Sequence, residues 1–259
     1  MTLAALSALF IWWFSTGAIL WAIGRNPGNT AVWASLPLAL VAAVWLAWAS
    51  QQGTIAGAYA GFAAAILVWG WFEFAFLTGV LTGPNRQPCP PCARGWQHFG
   101  LAWATVSHHE LAILGTATLL GILTWNAPDQ TGLWTFLILF AARISAKLNV
   151  YFGVPNLSHE MMPESVAHMK TYFANRSMNW LFPVSITALT FANACWIERA
   201  VAATPGSGAE IGFVLLATLT SLALLEHWLM VLPVRDALLW RWMTPKPKLE
   251  SAVRATPAE

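Results

Sequence analysis

Long apolar runs, broken by short polar or Gly- and Pro-containing stretches, set the class of this chain before any motif is considered. A helical membrane crossing needs about 20 mostly apolar residues. Seven runs meet that length: 3–24, 31–50, 55–82, 99–125, 133–152, 180–203 and 211–234. The pattern predicts an all-α integral membrane protein, a polytopic bundle of about seven transmembrane helices. Residues 1–243 then form a single transmembrane domain with loops at 83–98 and 153–179, and 244–259 a polar, disordered tail. No basic residue precedes the first apolar run, so it reads as a retained span rather than a signal peptide.

Composition agrees. Hydrophobic residues make up 58% of the chain and charged residues 9%, against about 25% charged in a soluble domain. Seventeen tryptophans suit a protein with many crossings, because indole rings settle at the headgroup level. A net charge of +2 gives no reason to expect nucleic acid. Lysine and arginine near span ends accumulate on the cytosolic side. With seven spans, all thirteen of them except Arg199 fall on one side. The N-terminus is therefore expected outside and the C-terminus in the cytosol, and an even number of spans would break the partition. No internal repeat of the transporter kind is visible.

Three cytosolic segments follow from this topology: the loop GPNRQPCPPCARGWQ, the segment from Gly153 to Asn179, and the tail. Pro163 suits the first turn of a helix, which predicts a short helix over 163–175. The stretch ALLWRWM is expected to lie in the interface.

Ionisable residues at membrane depth are costly and mark function by default. The spans hold Glu73, then His108, His109 and Glu110 within TVSHHELAILG, then Arg143 and Lys147, then Glu226 and His227. At 1.5 Å per residue, Glu73 and the triplet lie roughly 13 to 18 Å from the cytosolic end, and Glu226 and His227 roughly 11 to 12 Å. Arg143 and Lys147, at i and i+4, share a helix face. A buried polar cluster is expected in which these cations answer Glu73, Glu110 and Glu226, with Asn149 and His227 beside them. Its plainest role is to lock helices together.

Neighbouring helical side chains diverge by about 100°, so the triplet cannot converge on one ion. His109 lies on a stripe with Ala102, Thr105, Ala112 and Thr116, where a helix or flat ligand could come close. His108 borders that stripe, and Glu110 turns toward another neighbour. A neutral imidazole here could ligate the magnesium of a chlorophyll-type macrocycle, as a proximal histidine holds haem iron. His109 is the first residue for that role and His108 the second. A bundle metal pair usually draws on a Glu-x-x-His motif, which the sequence lacks; Glu160, Glu164 and His168 share one face of the short cytosolic helix instead. A proton path lacks titratable residues in the outer half. Cys89 and Cys92 form C-P-P-C, and with His98 they supply three of the four ligands a structural zinc needs. Cys195 reads as packing within a span.

The strings LTGPNRQPCP, HHELAILG, RISAKLNVYFGVPNLSHEMMPE, TYF and NWLFPVSITALT resemble the photosynthetic complex assembly protein 2 family, PuhE. The stretch 146–156, A-K-L-N-x-x-x-G-V-P-N, is the most specific part. At Ser165 and His168 the chain departs from the family's pattern. The resemblance implies a multi-pass protein of the bacterial inner membrane, cytoplasmic or intracytoplasmic, that assists assembly of the reaction centre and light-harvesting antenna. Its partners would be membrane lipid, photosynthetic subunits or pigment-biosynthesis enzymes; the resemblance names no cofactor, and bacteriochlorophyll enters only as the macrocycle that His109 or His108 could ligate. His109, Glu110, Lys147, Asn149 and Asn156 match the pattern; the cytosolic residues Cys89, His159 and Glu160 fall in its matched strings, and Cys92 lies just beyond the first of them. The rival class is an enzyme, either a metal-dependent membrane oxidoreductase or an accessory subunit of aerobic bacteriochlorophyll synthesis.

Overall fold

The computed structural model describes residues 1–25, 27–156 and 162–232. Among them are seven α-helices long and apolar enough to cross a membrane: α1 (Thr2–Gly24), α2 (Asn29–Ala49), α3 (Ile55–Leu77), α4 (Gly95–Leu123), α5 (Thr131–Phe152), α6 (Leu181–Ala202) and α7 (Gly208–Leu229). The protein is a multi-pass helical membrane bundle. The predicted site residues His159 and Glu160, the interfacial stretch and the tail lie outside the described residues.

Helices α3 and α7 form the centre, more than half buried along their spans. Helix α3 packs against α1, α2, α5 and α7, and α7 against α1, α5 and α6. Lipid supplies no hydrophobic force between helices, so close approach depends on small residues. One such approach joins α3 to α5: a Cβ on Gly132 would meet the Gly61 carbonyl oxygen at 3.0 Å and Leu46 Cγ at 2.7 Å. Above it, Trp69, Phe72 and Phe136 interlock edge to face. They form the core into which Ile113, Ala117 and Leu120 of α4 pack. At the end away from the basic loops, Ser207 accepts a hydrogen bond from the Glu210 amide at 3.1 Å, while the Glu210 carboxylate accepts from the Gly206 amide. Ser207 thus caps α7, and the Glu210 carboxylate reaches back to the residue before the cap.

Helix α3 stops at Leu77, where hydropathy alone extends the span to residue 82. Gly79 takes φ +78°, its amide donates to the Phe76 carbonyl, and the Leu81 amide donates to Ala75. This is a Schellman-type stop. Apolarity continues past the stop because the chain then runs back against α4 instead of leaving the bundle. The Asn85 amide donates to the Ala104 carbonyl at 3.0 Å, and the His109 amide donates to the Thr82 carbonyl at 2.9 Å, outside its own helix. Gly83 sits so close that a Cβ there would lie 2.1 Å from the Ala104 carbonyl oxygen.

The helix expected over 163–175 is a 3₁₀ helix, Glu164–Tyr172, with Pro163 just before its first turn. The reason is the spacing of its buried residues, Val166, Met169 and Tyr172. Side chains three apart eclipse in a 3₁₀ helix and diverge in an α-helix. The tighter winding puts all three on one face, with Val166 and Met169 packed against Phe76.

Candidate functional site

The polar residues of the spans gather into two clusters on opposite sides of α5. At 100° per residue, Arg143 and Lys147 lie on one face while Ser145 and Asn149 lie about 200° away.

On the first face, Arg143 donates to Glu73 of α3 at 2.9 Å, and the Lys147 ammonium is paired with Glu110 of α4. Glu110 is 5% exposed. Lys147 also sits over the Phe76 ring, 4.5 Å from its centroid. His109 is fully buried, with Phe76 4.6 Å and Phe72 6.3 Å from its ring centroid. Its Nδ1 lies 3.3 Å from the same Glu110 oxygen that meets Lys147. A carboxylate only accepts, so Nδ1 carries a hydrogen and donates. Four buried atoms of this cluster have no hydrogen-bond partner among the described residues: Glu73 Oε1, His109 Nε2, Glu110 Oε2 and Arg143 Nε. Two carboxylates and two cations balance, as a site in lipid requires.

On the second face, His227 Nδ1 donates to the Ala223 carbonyl at 2.8 Å and Nε2 meets the Ser145 hydroxyl at 2.9 Å. Asn149 donates to the Ser145 carbonyl and the Ser185 hydroxyl, both at 2.9 Å. Asn179 donates to the carbonyls of Asn149 and Gly153, and its own carbonyl oxygen caps the amides of Leu181 and Phe182. Asn156 turns back to the Leu229 and Leu232 carbonyls and so ties off the end of α7. The A-K-L-N-x-x-x-G-V-P-N stretch is thereby accounted for by architecture: Lys147 pairs, Asn149 and Asn156 tie backbone ends, and Gly153 takes φ +113°.

Three sequence expectations are corrected here and one is met. Glu226 does not join the cluster; it is exposed on α7 and accepts from the Trp12 indole of α1 at 3.2 Å. Asn149 and His227 sit across α5 from the charged residues, because positions two apart on a helix face nearly opposite ways. Glu110 does turn toward another neighbour, Lys147 of α5, and the same carboxylate oxygen also accepts from His109 Nδ1. His109 does not line an open stripe, because the rings of α3 cover it. Serines 145 and 185, Asn179 and the inserted segment 82–85 were not foreseen. Only Asn179 carried a signal, as an asparagine just before a helix.

The two histidines differ as sites for a macrocycle. His109 does not fit one: at 0% exposure between Phe72 and Phe76 there is no room for a planar group at Nε2. His108 does fit, because it is exposed on the outer side of α4 and free of hydrogen-bond partners among the described residues. Around it the surface is Ala104, Leu111 and Gly115, and a Cβ on Gly115 would meet nothing within 4 Å. No three His, Cys, Asp or Glu side chains among the described residues converge as metal ligands.

At the basic end the two long loops interlock. The Cys89 amide donates to Thr171 at 2.8 Å, Asn85 donates to the Tyr172 hydroxyl at 2.9 Å, and that hydroxyl donates to the Gln87 carbonyl at 3.1 Å. His98, expected beside the cysteines as a third ligand, instead meets the Tyr151 hydroxyl at 2.9 Å. Cys89, Cys92 and Cys195 are free thiols. His168 sits beside this junction, where burial and then the neighbouring Arg86 cation push its pKa below the ordinary histidine value. A base whose folded pKa is lowered binds fewer protons folded than unfolded, so stability rises with pH across that interval. Acidification from pH 7.5 through about 6.5 and below should therefore lower the thermal midpoint. His168→Asn should flatten that part of the profile; an unchanged profile would mean that other groups set it.

No solved structure matches the chain. A protein of Rhodobacter capsulatus described as an uncharacterized 30.4 kDa protein in the puhA 5′ region is 47% identical over 249 residues, covering 94% of this chain and 90% of that one. A family model described as protein of unknown function, DUF3623, matches residues 1–251. The chain belongs to that family.

Proposed function

We propose that this protein assists assembly of bacterial photosynthetic complexes by letting a partner dock transiently on the outer face of α4. The observation that carries the reading is the make-up of that face. Gly115 packs against none of the described residues, and exposed His108 lies two turns before it on the same side of α4. Glycine inside a helix is unfavourable by about 1 kcal/mol relative to alanine. In a membrane helix such a residue serves close approach by another helix, and here none of the described helices makes it. The photosynthetic setting is supported by the puhA-region relative and by the resemblance to the PuhE family. The membrane would then be the inner or intracytoplasmic membrane, and the partners reaction-centre or antenna subunits.

The buried charges favour a scaffold over an oxidoreductase. Glu73 and Glu110 are each occupied by a cation that would compete with a metal. In cells, His108→Leu should lower the yield of assembled complexes several-fold while protein level stays unchanged and no late pigment precursor accumulates. Accumulated precursor would turn the reading toward pigment biosynthesis, and normal yield would remove His108 from it.

A further inference from the structure

We infer that His108 is an axial ligand for a planar metallated tetrapyrrole held on the lipid-facing side of α4; this rests on the docking face proposed above. Helix α4 is 29 residues long, roughly 43 Å at 1.5 Å per residue, and so exceeds the hydrocarbon thickness of about 30 Å. Its cytosolic end projects, and exposed Trp103 marks the interface there. His108 lies about 7.5 Å further along the axis, inside the hydrocarbon of the cytosolic leaflet. An imidazole at that depth cannot reach water, and none of the described side chains satisfies it.

The chemistry of the missing partner follows from what surrounds it. Glu73, Glu110 and His109 are turned inward, and exposed Leu111 lies one turn along α4 from His108 on the same side. A bare metal ion would find one ligand and no charge compensation. A metal that carries its own equatorial ligands needs one axial nitrogen only, as haem iron does from a proximal histidine. A tetrapyrrole also needs a flat surface, which Ala104 one turn before His108 and Gly115 two turns after it provide. His109, one residue away, is sealed by Phe72 and Phe76 and cannot take this role. Of the two histidines, the outward one is the ligand and the inward one is structural.

The test uses the full chain in lipid nanodiscs with zinc protoporphyrin, whose five-coordinate metal takes one axial ligand. The wild type should bind one macrocycle per chain with a red-shifted Soret band. His108→Leu should weaken binding at least tenfold and lose the shift. His108→Gly should regain the shift on addition of free imidazole, which excludes misfolding as the cause. Equal binding by His108→Leu and wild type, or no stoichiometric binding by the wild type, would overturn the inference. Reduced complex yield in His108→Leu cells without any macrocycle binding would leave the docking role standing and remove only the ligand.

Discussion

Lys147→Met should destabilise the bundle by about 3–5 kcal/mol, because it leaves the buried Glu110 carboxylate without its cation. Glu110 is nearly fully buried, and its second oxygen already lacks a partner. After the substitution only the His109 Nδ1 hydrogen, at 3.3 Å, would face the charge. The expected result is a markedly lower thermal midpoint in detergent and reduced accumulation in the membrane. Glu110→Gln combined with Lys147→Met should recover more than half of the loss, since it removes the uncompensated charge and leaves an amide that His109 can still meet. Arg143→Met should be milder: at 36% exposure the arginine is partly solvated or lipid-accessible, so its pair with Glu73 contributes less. If Lys147→Met and Arg143→Met proved equally mild, the Glu110 pair would not be what joins α4 to α5.

The second large effect is expected at Gly83. Its added Cβ in Gly83→Ala would meet Ala104 carbonyl oxygen at 2.1 Å and the carbonyl carbons of Ala104 and Thr105 at 2.8 Å, all of them backbone atoms that cannot rotate aside. The inserted segment must lift off α4, which breaks the Asn85-to-Ala104 and His109-to-Thr82 hydrogen bonds. Strain of this kind together with two lost buried bonds amounts to roughly 3 kcal/mol or more. Gly115→Ala, on the open face of the same helix, should leave stability unchanged or slightly raised. The pair separates glycines required by the fold from glycines left for something outside it, and equal effects on stability would erase that distinction.

Much of this arrangement was legible in the sequence, and the parts that were not share a physical cause. Hydropathy found seven spans because burial in lipid demands a length that few other structures need. The pairing of Arg143 and Lys147 with carboxylates on α3 and α4 followed from charge balance. What hydropathy could not distinguish was an apolar segment that crosses from one that folds back, so 78–82 read as a continuation of α3 when Gly79 ends the helix. Helical angles placed His109 inward correctly. They could not say what covers it, because Phe72 and Phe76 come from another helix. The same limit hid the division of the polar residues by α5, since Ser145 and Asn149 gain meaning only once α6 and α7 stand beside them. Glu226 shows the converse: an acidic residue in a span can face outward when an indole on a neighbouring helix reaches it.

The TVSHHELAILG stretch therefore serves two directions at once. His109 and Glu110 hold α4 to α3 and α5, and His108 is presented to the membrane. The reading that the protein works through its membrane-facing α4 surface makes a directional claim about adjacent residues. A photoreactive side chain placed at position 108 or at position 109, irradiated in native membranes, tests it most directly. Position 108 should yield adducts to a photosynthetic subunit or to pigment, and position 109 only links within this chain. Partner adducts from 109, or nothing but lipid from 108, would contradict it.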